Sequence, residues 1–216
     1  MSFNFTVKEF ILGSGTGTPT FQFLKNGFNI GSNKIPDGYK RITGFTMNND
    51  CYYQITDFRL TGADTIKFSY SFTGTACNVL GSYTTASAQN NLSLYIGNGA
   101  TAKYLRYNGG TYSSYTVADK VYNVEITPTG SIGLEEDSSW TQKDFTCPVD
   151  LLIGSTGVSA TSAKFIGTFY GNIEVMGRLK LIPLERQSDN TVCLYDIYTE
   201  TIYEPIGTSP TVLGYV

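Results

Sequence analysis

The chain has 216 residues, with 15 Lys and Arg against 18 Asp and Glu, and no histidine. A net charge of −3 gives no electrostatic basis for holding nucleic acid. The lack of histidine excludes a Ser-His-Asp or Cys-His triad within this chain, and every zinc site that needs an imidazole.

Charged residues are only 15% of the chain, whereas Tyr (16), Phe (13), Gly (23) and an even larger stock of Thr dominate it. Aromatic and β-branched residues fit a pleated, half-buried surface, and Gly serves the turns. The four cysteines, Cys51, Cys77, Cys147 and Cys193, lie far apart with no C-x-x-C pair, which argues against a Cys-only metal site. Two disulfides are arithmetically open, but four core thiols in a reducing cytoplasm are the better reading. No basic segment followed by an apolar one opens the chain, so no signal peptide is expected. No apolar run approaches the ~20 residues of a membrane span, so no membrane partner is expected either.

Residues 1–35 read as an N-terminal β-arm. Phe3-Asn4-Phe5-Thr6-Val7 and Phe21-Gln22-Phe23-Leu24 alternate at period two around the Gly-rich loop 13–19. Lys25-Asn26-Gly27-Phe28 supplies a turn, since Asn-Gly tolerates positive φ. From residue 36 the pattern becomes regular. Ile66, Phe68, Tyr70 and Phe72 share one face, and Lys67, Ser69, Ser71 and Thr73 the other. Leu92, Leu94 and Ile96 alternate against Ser93 and Tyr95. Tyr122, Val124 and Ile126 alternate against Asn123, Glu125 and Thr127. Gly and Asn-Gly turns punctuate these segments, Asn108-Gly109-Gly110 among them. Residues 150–154, 165–175, 178–183 and 192–195 read as further strands, with Leu179 and Leu181 facing away from Arg178 and Lys180. Many short half-buried strands without a convincing helix predict an all-β, two-sheet antiparallel sandwich over residues 36–216.

An ordered set of motifs resembles a known family. Ile35-Pro36-Asp37-Gly38-Tyr39-Lys40-Arg41 is similar to the entry segment of concanavalin-A-like (laminin-G-like) jelly-roll domains in phage and prophage structural proteins of gut bacteria. Tyr52-Tyr53-Gln54-Ile55-Thr56-Asp57, the paired strands of 121–137, Leu151-Leu152-Ile153-Gly154 and Phe169-Tyr170-Gly171-Asn172-Ile173 follow in the family's order. Leu181-Ile182-Pro183, Arg186, Ser188-Asp189 and Tyr195-Asp196 resemble its ending, although Asn190 stands where Gly is usual. The resemblance implies a jelly-roll sandwich in a bacteriophage particle, assembled in the bacterial host cytoplasm. It would be a head decoration, fibre or tail component. Its partners would be other virion proteins and host-surface or mucin glycans, and a homotrimer is in keeping with a fibre.

The chemistry on offer is binding, not catalysis. Glycosidases need two facing carboxylates, and no single strand supplies such a pair. Glu135-Glu136-Asp137 is the one acidic cluster, and it reads as a solvated turn or a weak calcium site; no other cofactor is expected. The Gly-rich loop at 13–17 lacks the Lys-Ser/Thr of a phosphate loop. Aromatics are the better clue. Tyr104, Tyr107, Tyr112 and Tyr115 surround the Asn108 turn, and Trp140 is the sole tryptophan. Tyr107, Tyr112, Tyr115 and Trp140 are therefore the candidate carbohydrate-binding residues, against a plain reading in which Tyr merely supports cross-strand pairs. The arm is too aromatic for a solvated tail, so Phe3, Phe5 and Phe10 are candidates for docking to the particle. A purely structural cement protein, and more remotely a glycan hydrolase, are the competing readings.

Overall fold

A computed structural model describes residues 22–24, 27–29, 35–73, 77–84, 87–96, 102–115, 117–155 and 164–216. Contacts divide the chain into residues 1–34 and 35–216. In the first unit β1 (Gln22–Leu24) and β2 (Gly27–Asn29) form an antiparallel hairpin, with Phe23 opposite Phe28. Phe3, Phe5 and Phe10 lie outside the described residues.

The second unit holds the remaining strands in two antiparallel sheets, with no helix among the described residues. The larger sheet has ten strands. From one edge they are β12 (Ser138–Ser139), β11 (Gly130–Ile132), β10 (Tyr122–Thr127), β5 (Ile66–Phe72), β14 (Gly167–Val175), β3 (Tyr39–Met47), β15 (Leu179–Arg186), β16 (Val192–Asp196) and β17 (Thr201–Tyr203). The tenth, β18 (Thr211–Tyr215), pairs with β3. The smaller sheet has six: β4 (Tyr53–Ile55), β13 (Leu151–Ile153), β6 (Cys77–Thr84), β7 (Ser87–Ile96), β8 (Ala102–Tyr107) and β9 (Gly110–Tyr115). The chain is thus the all-β two-sheet sandwich that its alternation predicts, in a form compatible with a jelly roll.

One hydrophobic core fills the space between the sheets. The alternating faces read from sequence supply it: Ile66, Phe68, Tyr70 and Phe72 from β5, Tyr122, Val124 and Ile126 from β10, and Leu92, Leu94 and Ile96 from β7 are all buried. Tyr53 of the smaller sheet meets Phe45 of the larger edge-to-face at 5.8 Å. Its hydroxyl donates to the Val192 carbonyl oxygen on β16 at 2.8 Å. All four cysteines are buried and unpaired.

The larger sheet cannot lie flat. β3, β14 and β15 pair antiparallel with each other in all three combinations, and three mutually antiparallel strands have no planar arrangement. The conflict is relieved on β14. Tyr170 faces Ser69 and Glu174 faces Lys67, so extra residues bulge out between them. Gly171 in that bulge takes φ +64°, a left-handed conformation that glycine adopts without steric cost. Pro183 marks the matching point on β15. The strand leaves β14 after Leu181 and joins β3 at Leu184, so the missing proline N–H falls where no ladder bond is required.

Past that switch the simple alternation of β15 ends. Ile182 through Glu185 are all buried, because the strand now also feeds a small second cluster. There Ile182, Leu184 and Tyr195 pack with Ile35, Tyr39, Ile197 and Ile202.

Candidate functional site

The structure brings three of the four candidate aromatics together. The β8–β9 hairpin turns on Asn108 (φ 46°) and Gly109 (φ 84°), with Tyr107 opposite Gly110, a two-residue loop with both central residues at positive φ. This turn sets Tyr107 and Tyr112 beside Trp140, whose ring centroid lies 4.8 Å from the first and 4.9 Å from the second. Tyr107 itself is only 3% exposed. Its hydroxyl lies 3.0 Å from the Gly62 carbonyl oxygen and 3.2 Å from that of Pro128, and it accepts the Lys143 N–H at 3.1 Å. Tyr107 is therefore a structural anchor that a ligand at the surface does not reach. Tyr112 and Trp140 are half-buried against it, and the indole N–H donates to the Pro128 carbonyl oxygen at 3.0 Å. Tyr115 ends β9 opposite Ala102, and its side chain lies outside the described residues.

Within the acidic cluster, Glu135 is half-buried and engaged at home. It accepts from Lys120 Nζ at 2.7 Å and from the Tyr122 hydroxyl at 3.0 Å. The Lys120 bond in turn raises that ammonium's pKa above the ordinary lysine value. Glu136 and Asp137 are exposed. Among the described residues no three His, Cys, Asp or Glu side chains gather in a way that could hold a metal ion.

The most developed polar surface lies elsewhere, on the outer face of the larger sheet. Strand register aligns Glu125, Lys67, Glu174 and Lys180 in one row across β10, β5, β14 and β15, with the signs alternating. Lys67 Nζ stands 3.2 Å from Glu125 Oε2. The next row sets Asn123 beside Ser69 and Tyr170, and the Ser69 hydroxyl donates to Asn123 Oδ1 at 2.7 Å. A third row holds Ser71, Thr168 and Thr46, where Ser71 and Tyr170 share a 3.0 Å hydroxyl bond and Thr46 and Thr168 one of 2.9 Å. Between the first two rows, the β14 bulge and the β11 end, an open concavity of about 370 Å³ forms. Its wall carries Lys67, Ser69, Asn123, Glu125, Asn172 and Glu174, with Ile132 as an apolar rim.

These groove residues were half legible. The alternation in β5 and β10 puts Lys67, Ser69, Asn123 and Glu125 on the wet face. It gives no sign that β14 inserts beside β5 and adds Asn172 and Glu174 through its bulge. Glu125 and Glu174 stand two strand spacings apart, about 9–10 Å, with Lys67 between them. Such a wall offers amide, hydroxyl and charged hydrogen-bonding groups to a polyhydroxylated ligand. A scan against protein-family models gives no match, and a search of curated proteins finds no similar sequence.

Proposed function

We propose that this chain is a non-enzymatic virion structural protein, a head decoration, fibre or tail component, whose sandwich presents a lectin-like face to host-surface or mucosal glycans. The glycan half of this reading is carried by the groove on the larger sheet. Its amides and hydroxyls stand on paired strands, and the backbone spends little ordering entropy when they engage a sugar. The exposed Ile132 offers an apolar edge for the C–H face of a pyranose. The non-catalytic reading is supported by Lys67, which stands in register between the two groove carboxylates and pairs with Glu125 at 3.2 Å. The virion half is supported by the ordered motifs from Ile35 to Asp196. Weak single-site affinity becomes useful when many copies share one particle.

A glycan array probed with multivalently displayed protein, with and without calcium, tests the reading. Binding lost in an Asn123→Ala/Asn172→Ala variant places the ligand in the groove. Binding lost only in Tyr112→Ala/Trp140→Ala places it at the hairpin end. Silence on the whole array would sink the lectin reading and favour a cement protein that binds only other virion proteins. One observation favours that second reading: β18 leaves Leu213 and Tyr215 exposed.

A further inference from the structure

The outer face of the smaller sheet carries a second arrangement, remote in chemistry from the groove. Arg106 on β8 lies against two tyrosine rings. Its guanidinium carbon is 4.3 Å from the Tyr83 ring centroid and 4.7 Å from that of Tyr95. One donor, Nη2, reaches the Tyr95 hydroxyl at 3.3 Å. Contact with both rings restrains the guanidinium, and its remaining N–H groups are left to donate.

Three of the chain's four other arginines stand beside carboxylates, and Arg41 reaches the Asn172 amide oxygen instead. Arg178 pairs with Asp64, Arg186 with Asp189 and Glu204, and Arg59 lies 4.0 Å from Asp150. Among the described residues no carboxylate pairs with Arg106, although it is half-buried. A second observation points the same way. Ser93 stands opposite both Arg106 and Gly81 in register and is 1% exposed, yet its hydroxyl has no hydrogen-bond partner. Gly81 is required there, since a Cβ would come within 2.5 Å of Ser93 Cα and Cβ. On the other side Arg106 faces the exposed hydroxyl of Thr111.

We propose that the Tyr83–Arg106–Tyr95 stack is an anion-reading subsite that takes the carboxylate of an acidic sugar, such as a uronic acid, in the bidentate geometry of a guanidinium fork. A single cation among hydroxyls matches a singly charged, hydroxyl-rich ligand; a polyanion would call for several cations along one track. The sugar part of this inference rests on the glycan-binding reading, while the site itself is separate from the groove.

The test is calorimetric titration of the full chain at low salt with a glucuronic-acid oligosaccharide, its neutral methyl ester, sodium acetate and a tetraglutamate peptide. The acid oligosaccharide should bind, and the ester and the peptide should not. Arg106→Lys keeps a cation but loses the planar fork, and should weaken binding roughly tenfold or more with an unchanged thermal melt. Arg106→Gln should abolish binding. Equal binding by wild type and Arg106→Lys would overturn the proposal. So would equal binding of acid and ester, acetate competing as well as the sugar, peptide binding in place of the sugar, or no binding at all. Uronate binding that persists while every neutral glycan fails on the array would retire the groove reading and keep this one.

Discussion

The indole of Trp140 stacks on the buried ring of Tyr107 at 4.8 Å with an interplanar angle of 26°. The pair ties the 128–143 segment to the β8–β9 hairpin, because the Tyr107 hydroxyl meets three backbone groups and the Trp140 indole N–H shares one of them, the Pro128 carbonyl oxygen. Tyr107→Phe removes only the hydroxyl and takes that partner from the buried Gly62 carbonyl oxygen and from the Lys143 N–H, while Pro128 keeps the indole. It should cost about 1–3 kcal/mol in urea unfolding followed by the fluorescence of the single tryptophan. A loss below a few tenths of a kcal/mol would show that solvent already serves those groups.

Asp64 and Arg178 form the most enclosed ion pair among the described residues. The Asp64 side chain is 4% exposed, and both its oxygens accept from Arg178 Nη1, at 2.7 and 2.6 Å. Asp64 also accepts the Thr61 N–H at 2.7 Å, and the guanidinium packs over Phe58 at 4.6 Å. Removing the cation alone strands a buried carboxylate, so Arg178→Ala should destabilise by about 3–5 kcal/mol. Asp64→Ala/Arg178→Ala should recover part of that loss. A double variant as unstable as the sum of the two single ones would mean that the partners act independently.

How much of this was readable in advance follows from which interactions are local. Period-two alternation located the core face of β5, β7 and β10, because side-chain direction is fixed within each strand. The Asn108-Gly109 turn was equally local. Pairing of distant strands was not: nothing in the sequence around Glu174 shows that Lys67 is its neighbour. The hairpin aromatics show the other limit. Tyr107 and Tyr112 flank one turn and read alike, yet one is a core anchor and the other half-buried, which depends on where Gly62, Pro128 and Phe145 fall. Tyr95 was legible as a wet-face residue, but its stacking on Arg106 required the β7–β8 register.

Asn190, the departure from the resembled motif, has a backbone explanation. It takes φ +60°, in the left-handed region where glycine and asparagine are tolerated. Around it Asp189 accepts from Arg186 Nε and Nη2 and from the Thr191 N–H, which holds its carboxyl well below the usual carboxylate range. Asn190→Gly should therefore be nearly neutral, within about 0.5 kcal/mol, whereas Asn190→Val should cost about 1–2 kcal/mol. Thermal melts of the two variants decide it. Equal melting temperatures would mean that the turn relaxes out of the left-handed conformation at no cost.

The buried thiols and phenols set the alkaline limit of stability. Burial pushes Cys77 up to about 11 and Cys147 up to about 12, against 9.0 for a free thiol. Burial likewise carries Tyr53 and Tyr70 well above the ordinary 10.0. In each case the folded state holds its proton more tightly than the unfolded chain. Their contribution to stability is thus complete below about pH 9 and is lost as pH rises through the folded values. For Cys77 alone the loss by pH 11 is about 2 kcal/mol. Urea unfolding between about pH 7 and about pH 10.5 should show stability falling with a slope that steepens above pH 9. Cys77→Ala should be less stable at neutral pH, through the cavity it leaves, but should lose stability less steeply in alkali. The thiols should also resist a water-soluble disulfide reagent in the native protein at pH 8 and react only on unfolding. An alkaline slope unchanged in Cys77→Ala would show that its thiolate is already solvated in the folded state.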